Sequence, residues 1–315
     1  MKKHKTVDHG RYGIYFSLAF FIVFAIFQLY PLILTFTSSF KYTEWQGRKS
    51  HIINGLGNFT HYVFGSTGYQ HYIWQAIIIT MIVWFLNFIP QVLLALLLAA
   101  WFTNVNFKLK GAAAYKVIMY MPNIITAATI AVLFYQLFNT RGSITSMLIK
   151  HGLAPKSGIL SHGWTALIII AFIQFWMWYG NTMIVLCAGI LGINPSLYEA
   201  AMVDGATEKQ QFFKITLPLL KPILQYTLVT SAIGGLQMFD IPSLFNNGGP
   251  ITHLLGERAD STTTVTMLIK KFTDTGSSQD IGRAAAYSVV LFVVTLAISM
   301  IFYIATSEKK NKNER

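Results

Sequence analysis

The sequence predicts an all-α membrane protein with six transmembrane helices, and three observations carry that expectation. Of 315 residues, 54% are apolar and only 11% charged, against roughly 25% charged in an ordinary globular domain. Uncharged runs cover 29 residues (12–40), 36 residues (72–107) and 42 residues (157–198), well beyond the roughly 20 apolar residues that cross a bilayer. The runs are continuous rather than alternating. A backbone in lipid must satisfy its own polar groups, so helices are expected rather than a closed barrel.

The chain opens Met1-Lys2-Lys3-His4-Lys5 and runs straight into the first apolar stretch without a small-residue cleavage pattern, which reads as an uncleaved first membrane helix. Six spans fit, at about 12–40, 72–103, 117–138, 164–191, 222–245 and 284–305. Pro31, Pro90, Pro122 and Pro242 fall within or near span ends, which helix bundles tolerate. An even number of spans places both termini on one side. With the termini inside, the inner segments hold 14 Lys and Arg in 64 positions, and the outer loops 10 in 94. The positive-inside rule therefore directs both tails and the 192–221 loop to the cytoplasm. The expected divisions are 1–71 (tail, first helix and a short outer loop), a five-helix core at 72–305 and a C-terminal tail at 306–315.

The net charge of +12 raises a nucleic-acid reading, but the basic residues lie between the apolar runs and form no stripe. A single cysteine, Cys187, excludes a disulfide framework or a cysteine-built zinc site. No G-x-x-x-x-G-K-[ST] phosphate loop and no H-E-x-x-H occur. The residues thus point to a non-catalytic chain without a cofactor or metal of its own.

The most informative segment is 194–218. Asn194 suits an N-cap and Pro195 the first helical position. Gly205 can take the left-handed conformation that ends a helix, and Thr207 with Gln210 spells a capping box that starts another. Leu217 precedes Pro218, so the second helix is expected to stop there. Ala200 and Ala201 allow close approach, Glu199 and Asp204 supply negative charge, and Phe212, Phe213 and Ile215 supply bulk. Residue physics leaves two readings open: a rigid helix pair that docks into a partner, or an amphipathic hairpin lying on the membrane surface.

Glu199-Ala200-Ala201, then Asp204-Gly205-Ala206, then Ile215, Leu217 and Pro218, resemble the EAA loop of ABC-importer permeases. Phe239-Asp240 followed by Gly248-Gly249-Pro250 resembles the fifth-span signature of the carbohydrate-importer branch. Gly55-Leu56-Gly57-Asn58-Phe59 resembles the segment before its second span, and Tyr30-Pro31 with Ser39-Phe40 its first-span exit. The resemblance covers essentially the whole chain. It implies a permease fold with a cytoplasmic coupling helix, and a membrane subunit of a binding-protein-dependent sugar importer of the maltose or multiple-sugar type. It also implies a second permease subunit, a cytoplasmic ATPase dimer that binds ATP and Mg and grips this loop, and an extracellular sugar-binding protein. Glu199 is implied to face a basic residue of the ATPase and Gly205 to allow the bend. The first outer loop, 41–71, has only 31 residues and lacks the large external insertion of the maltose permease.

Sugars are recognised by aromatic faces and by polar groups that replace water hydrogen bonds. Gln174, Trp178 and Asn181 are spaced to share one face of the fourth span. Gln237, Phe239 and Asp240 lie in the fifth span, and Tyr135 with Gln136 in the third. These residues serve either a substrate path or hydrogen bonding between helices. Asp240 is the only Asp, Glu, Lys or Arg placed inside a span, and an intramembrane carboxylate marks a functional position by default. The alternative is a secondary transporter of a small polar solute driven by an ion gradient. It requires paired carboxylates or broken helices in both halves, which Asp240 alone does not supply. The sugar itself is not legible.

Overall fold

The computed structural model describes residues 10–42, 52–53, 55–65, 70–104, 109–255, 259–275 and 278–307. Among these, five helical stretches are long and apolar enough to cross a membrane: Gly13–Ser39, Tyr72–Phe102, Gly163–Leu191, Lys221–Asn246 and Asp280–Thr306. A bent pair, Ala112–Ile124 with Ala127–Lys150, makes a sixth if it counts as one span. The chain divides into two compact units, Met1–Gln70 with Ile269–Val290, and His71–Leu268 with Leu291–Arg315.

In the first unit, α1 (Gly10–Phe24) and α2 (Tyr30–Ser39) are joined by a π turn, Ala25–Leu29. Pro31 follows the π turn, and the widened turn absorbs a proline that lacks an N–H. A short antiparallel pair follows, β1 (Lys41–Tyr42) with β2 (Ile52–Ile53), and then α3 (Gly57–Tyr62). Asn58 of α3 is buried, and its Nδ2 donates to the carbonyls of Ser39 (2.8 Å) and Lys41 (3.0 Å). Gly282 lies against the same Lys41 carbonyl, where a Cβ would stand 2.5 Å from the oxygen. Arg283 is buried with its guanidinium carbon 3.8 Å from the Phe272 ring centre and 4.8 Å from that of Tyr62, and its Nε donates to Tyr287 Oη at 3.0 Å. Aromatic faces compensate a desolvated guanidinium. Asp240 is therefore not the only charged residue in a span: Asp280, Arg283 and Lys221 also fall within spanning helices. The apolar run marks only the greasiest part of each helix, and the helices extend past it.

The second unit is built on α4 (Gln70–Phe102) and α8 (Gly163–Leu191). Between them lie α5 (Ala112–Ile124), α6 (Ala127–Phe138) and α7 (Ser143–Lys150). The expected third span is broken: α5 and the helices after it are bent by 87°. Ile125 is extended, and Thr126 caps the new helix by accepting from Thr129 N at 3.3 Å. The end of α5 is pinned by Asn123, whose Nδ2 donates to the Met177 carbonyl of α8 at 3.2 Å.

Close approach in this unit rests on small residues, as in other membrane bundles. A Cβ on Gly180 would overlap the Met119 carbonyl oxygen and stand 2.9 Å from Tyr120 Cα. A Cβ on Gly235 would run into the fully buried Trp84 ring. Around these contacts Ala95, Leu98, Ala99 and Phe102 of α4 meet Tyr179, Met183, Leu186, Cys187 and Ile190 of α8 in one buried cluster. Buried polar groups find partners within the unit: Trp84 Nε1 donates to Ser231 Oγ (3.2 Å), and Gln91 Nε2 to Thr182 Oγ1 (2.7 Å).

The expected fifth span stands as one crossing, Lys221–Asn246, with an interruption inside it. Helix α9 (Pro195–Val203) leads to α10 (Glu208–Gln211), a π turn at Phe212–Thr216, α11 (Leu217–Leu219) and α12 (Lys221–Leu236). Gln237, Met238 and Phe239 interrupt the helix, and Asp240 opens α13 (Asp240–Asn246). Asp240 thus starts a short helix instead of lying inside a continuous one. A carboxylate there meets the positive end of the helix dipole. Beyond α13 come β3 (Ile251–Thr252), paired antiparallel with β4 (Ala259–Asp260), then α14 (Val265–Thr273) and α15 (Ser278–Thr306). The Gly249–Pro250 peptide bond is cis.

Candidate functional site

Two features of the second unit stand out: a cavity with polar side chains in its wall, and the loop that opens with α9. The cavity holds about 630 Å³ and is walled by α4, the start of α6, α8, α12 and the break before α13. Six of the seven residues expected along a substrate path line it: Gln174, Trp178, Asn181, Gln237, Phe239 and Asp240. The spacing of the first three on α8 turns them to one side. Trp178 is 45% exposed although it lies in the middle of a long apolar helix. Gln174 is buried, Asn181 half-buried and Asp240 exposed.

Tyr135 is not in this cavity. It lines a second one of about 650 Å³, with Gln136, Asn139, Ser243 and Asn246 among its walls, and its ring meets Phe245 edge-on at 6.2 Å. Its neighbour Phe134 packs on Phe172 and Trp176 of α8, while Tyr135 meets α13 instead.

Two stripes in the main cavity escaped the sequence reading. Trp84, Asn87 and Gln91 on α4, and Thr227, Thr230, Ser231 and Gly234 on α12, all line it. Both recur at three- and four-residue spacing. That signal was available, but single hydroxyls and amides within an apolar run fail to stand out.

The 194–218 loop follows its expected caps closely. Asn194 Oδ1 accepts from Ser196 N at 3.1 Å, and Pro195 opens α9. The helix ends through Asp204 N to Ala200 O (3.0 Å) and Ala206 N to Ala201 O (2.8 Å), with Gly205 at φ +76° and open space around it. Thr207 and Gln210 form the capping box: Gln210 N donates to Thr207 Oγ1 (3.3 Å) and Thr207 N to Gln210 Oε1 (2.8 Å). The expected stop at Pro218 does not occur. The chain remains helical through Leu217 to Leu219, because the widened π turn absorbs a proline that lacks an N–H, and a turn at Leu220 then leads into α12.

The two arms are locked from behind. Tyr198 is buried, its hydroxyl 2.8 Å from Thr216 Oγ1, and Gln211 Nε2 donates to Ala206 O at 3.1 Å. The front is bare. Glu199, Ala200, Asp204 and Gly205 are exposed, and Ala201, Ala206 and Phe212 half-buried. Val203 and Phe213 are 88% and 55% exposed. Beside them a groove of about 310 Å³ has Trp101, Asn104, Glu208 and Phe212 in its walls. The hairpin is thus capped and cross-braced, with an exposed apolar front and two exposed carboxylates, Glu199 and Asp204, that make no ion pair among the described residues.

Residues 62–312 match the family described as binding-protein-dependent transport system inner membrane components. The chain belongs to that family. Its relatives include the lactose transport system permease protein LacF of Rhizobium radiobacter, 28% identical over 91% of each chain. The arabinooligosaccharides transport system permease protein AraP of Bacillus subtilis is 27% identical over 91% of this permease and 85% of AraP. The maltose/maltodextrin transport system permease protein MalF of Escherichia coli is 32% identical over 64% of this permease and 39% of MalF. Among solved structures, a bacterial ABC transporter that imports the acidic polysaccharide alginate has a similar chain, with TM-score 0.68 and 25% identity over 95% of this permease and 96% of that chain. Its complex with a pentasaccharide-bound periplasmic protein gives a TM-score of 0.71 at 24% identity, over 94% of both chains. This is a multi-pass membrane permease with the fold of an ABC importer subunit.

Proposed function

We propose that this permease is one membrane subunit of an ATP-driven carbohydrate importer and that it forms part of the translocation path by alternating access. The observation that carries the reading is the cavity. A membrane protein gains nothing by keeping Gln174, Trp178, Asn181, Gln237 and Asp240 around about 630 Å³ of open space unless something polar passes through it. Amides and hydroxyls there can replace the water on a sugar's hydroxyls, and the Trp178 face suits the C–H side of a sugar ring. The names of the relatives support carbohydrate.

In this reading a second permease subunit completes the path and an extracellular binding protein delivers the sugar. A cytoplasmic ATPase dimer binds ATP and Mg. Both termini and the 194–217 loop lie in the cytoplasm, where Glu199, Ala200, Ala201, Asp204, Gly205, Ala206, Phe212 and Phe213 meet the ATPase. Closure of the ATPase on ATP pushes this hairpin, and α12, which follows its second arm after a single turn residue, Leu220, passes the movement to the interruption at Gln237–Phe239. The permease itself performs no chemistry. An ion-coupled transporter calls for broken spans in both halves or paired carboxylates; here one span is sharply bent, at residues 125–126, Lys221–Asn246 remains a single span, and among the described residues one carboxylate lines the cavity.

Trp178→Ala and Gln237→Ala each remove one sugar contact. In the reconstituted importer each is expected to lower uptake about three- to tenfold, the worth of one hydrogen-bonding or stacking contact, while basal ATP hydrolysis stays within about twofold. Uptake assays with the cognate binding protein check this. Unchanged uptake in both variants contradicts the path.

A further inference from the structure

The carbohydrate reading leaves the charge of the cargo open. One solved neighbour imports an acidic polysaccharide, whereas the lactose and maltodextrin named for other relatives carry no charge. This chain's share of the cavity wall bears on the choice. Asp240 is the one formally charged side chain in its wall among the described residues, and no Lys, Arg or His lines it. Everything else polar there is an amide, a hydroxyl or an indole. Such groups both donate and accept, which matches the hydroxyls of a neutral sugar. A carboxylated or sulfated sugar brings a charge that loses its water on entering, and in this wall it meets no cation to compensate the loss.

We propose, building on the carbohydrate reading, that this permease conducts uncharged saccharides and excludes anionic ones, with Asp240 as the residue that sets the charge preference. Asp240 is exposed at the break before α13 and lines the cavity, and its carboxylate makes no hydrogen bond or ion pair among the described residues. It accepts from a neutral sugar's hydroxyls and repels a uronate. At the separations available in a cavity of this size, like charges in a partly hydrated protein environment differ from a neutral pair by about tenfold or more in affinity.

A matched pair of ligands isolates the charge: trigalacturonate and its fully methyl-esterified form share one skeleton, and maltotriose serves as a second neutral probe. The purified importer, assembled with its partner subunits in lipid nanodiscs, is titrated with each while tryptophan fluorescence is followed. Trp178→Phe identifies the signal that arises in the cavity. The ester or maltotriose is expected to bind at about tenfold lower concentration than the free acid, and Asp240→Asn to narrow that gap to about threefold or less. Binding of the free acid as tightly as the ester overturns the proposal without requiring any variant to fold. A gap that Asp240→Asn leaves unchanged removes Asp240 from the role. Preference for the free acid overturns the charge preference alone; the carbohydrate reading falls if the assembled importer takes up no saccharide, charged or neutral, a distinct result.

Discussion

Glu199→Lys is expected to abolish ATP-coupled uptake, by more than about a hundredfold, while the permease remains folded in detergent. Both halves of that outcome follow from where the residue stands. Glu199 is exposed on α9 and makes no hydrogen bond or ion pair among the described residues, so folding gains nothing from its charge. Surface substitutions of this kind usually change stability by less than about 0.5 kcal/mol. Within a docked interface the same change replaces an attraction with a repulsion. Reversing one member of a buried charge pair typically costs about 2–5 kcal/mol, enough to release the motor. ATPase stimulation by the loaded binding protein and co-purification of the subunits measure the loss. Survival of both contradicts the docking role.

Gly180→Val is expected to fail in the opposite way, at the level of the fold. The overlapping groups are the Met119 carbonyl and Tyr120 Cα, backbone atoms that no rotamer change can move aside. Helices α5 and α8 must therefore separate. That separation stretches Asn123 Nδ2 to Met177 O (3.2 Å) and Tyr179 Oη to Met119 Sδ (3.3 Å). Overpacking a well-filled interior costs about 1–3 kcal/mol, and a backbone clash lies at the upper end. Thermal unfolding in detergent should show a markedly lower midpoint for Gly180→Val and a smaller drop for Gly180→Ala. Gly234→Ala serves as the control, because nothing lies within 4 Å of its added Cβ. A Gly180→Val protein as stable as the parent contradicts the close helix contact.

The 194–210 hairpin was legible almost residue by residue, because its caps are local chemistry: Asn194, Pro195, Gly205 and the Thr207–Gln210 pair act within a few positions of themselves. The six residues that share the cavity could likewise be read, since Gln174, Trp178 and Asn181 fall on one face of a single helix. What stayed hidden depends on partners distant in sequence. The bend at Ile125–Thr126 occurs in an apolar run that reads as one helix, and it is held by Asn123 on the far-off Met177. The helix through Pro218 survives because a π turn stands before it, a backbone irregularity with no local residue signature. Arg283 lay just outside the apolar run chosen for the last span, and only folding brings Tyr62, Phe272 and Tyr287 around it. The local signals of the break at Gln237–Phe239, Gly234-Gly235 before it and Pro242 in the first turn of α13, read as ordinary interior of a membrane helix. They therefore left Asp240 looking embedded in a continuous helix rather than placed at the start of a new one.

The most direct measurement of the central claim places a photo-crosslinker on the hairpin of the assembled importer. Ala200 is exposed on α9, and Cys187, the one native cysteine, is buried, so Ala200→Cys in a Cys187→Ser background accepts a benzophenone maleimide at a single site. Illumination in the membrane should yield one dominant adduct with the mass of this permease joined to the ATPase subunit. Adducts with lipid alone, or with the external binding protein, contradict the claim.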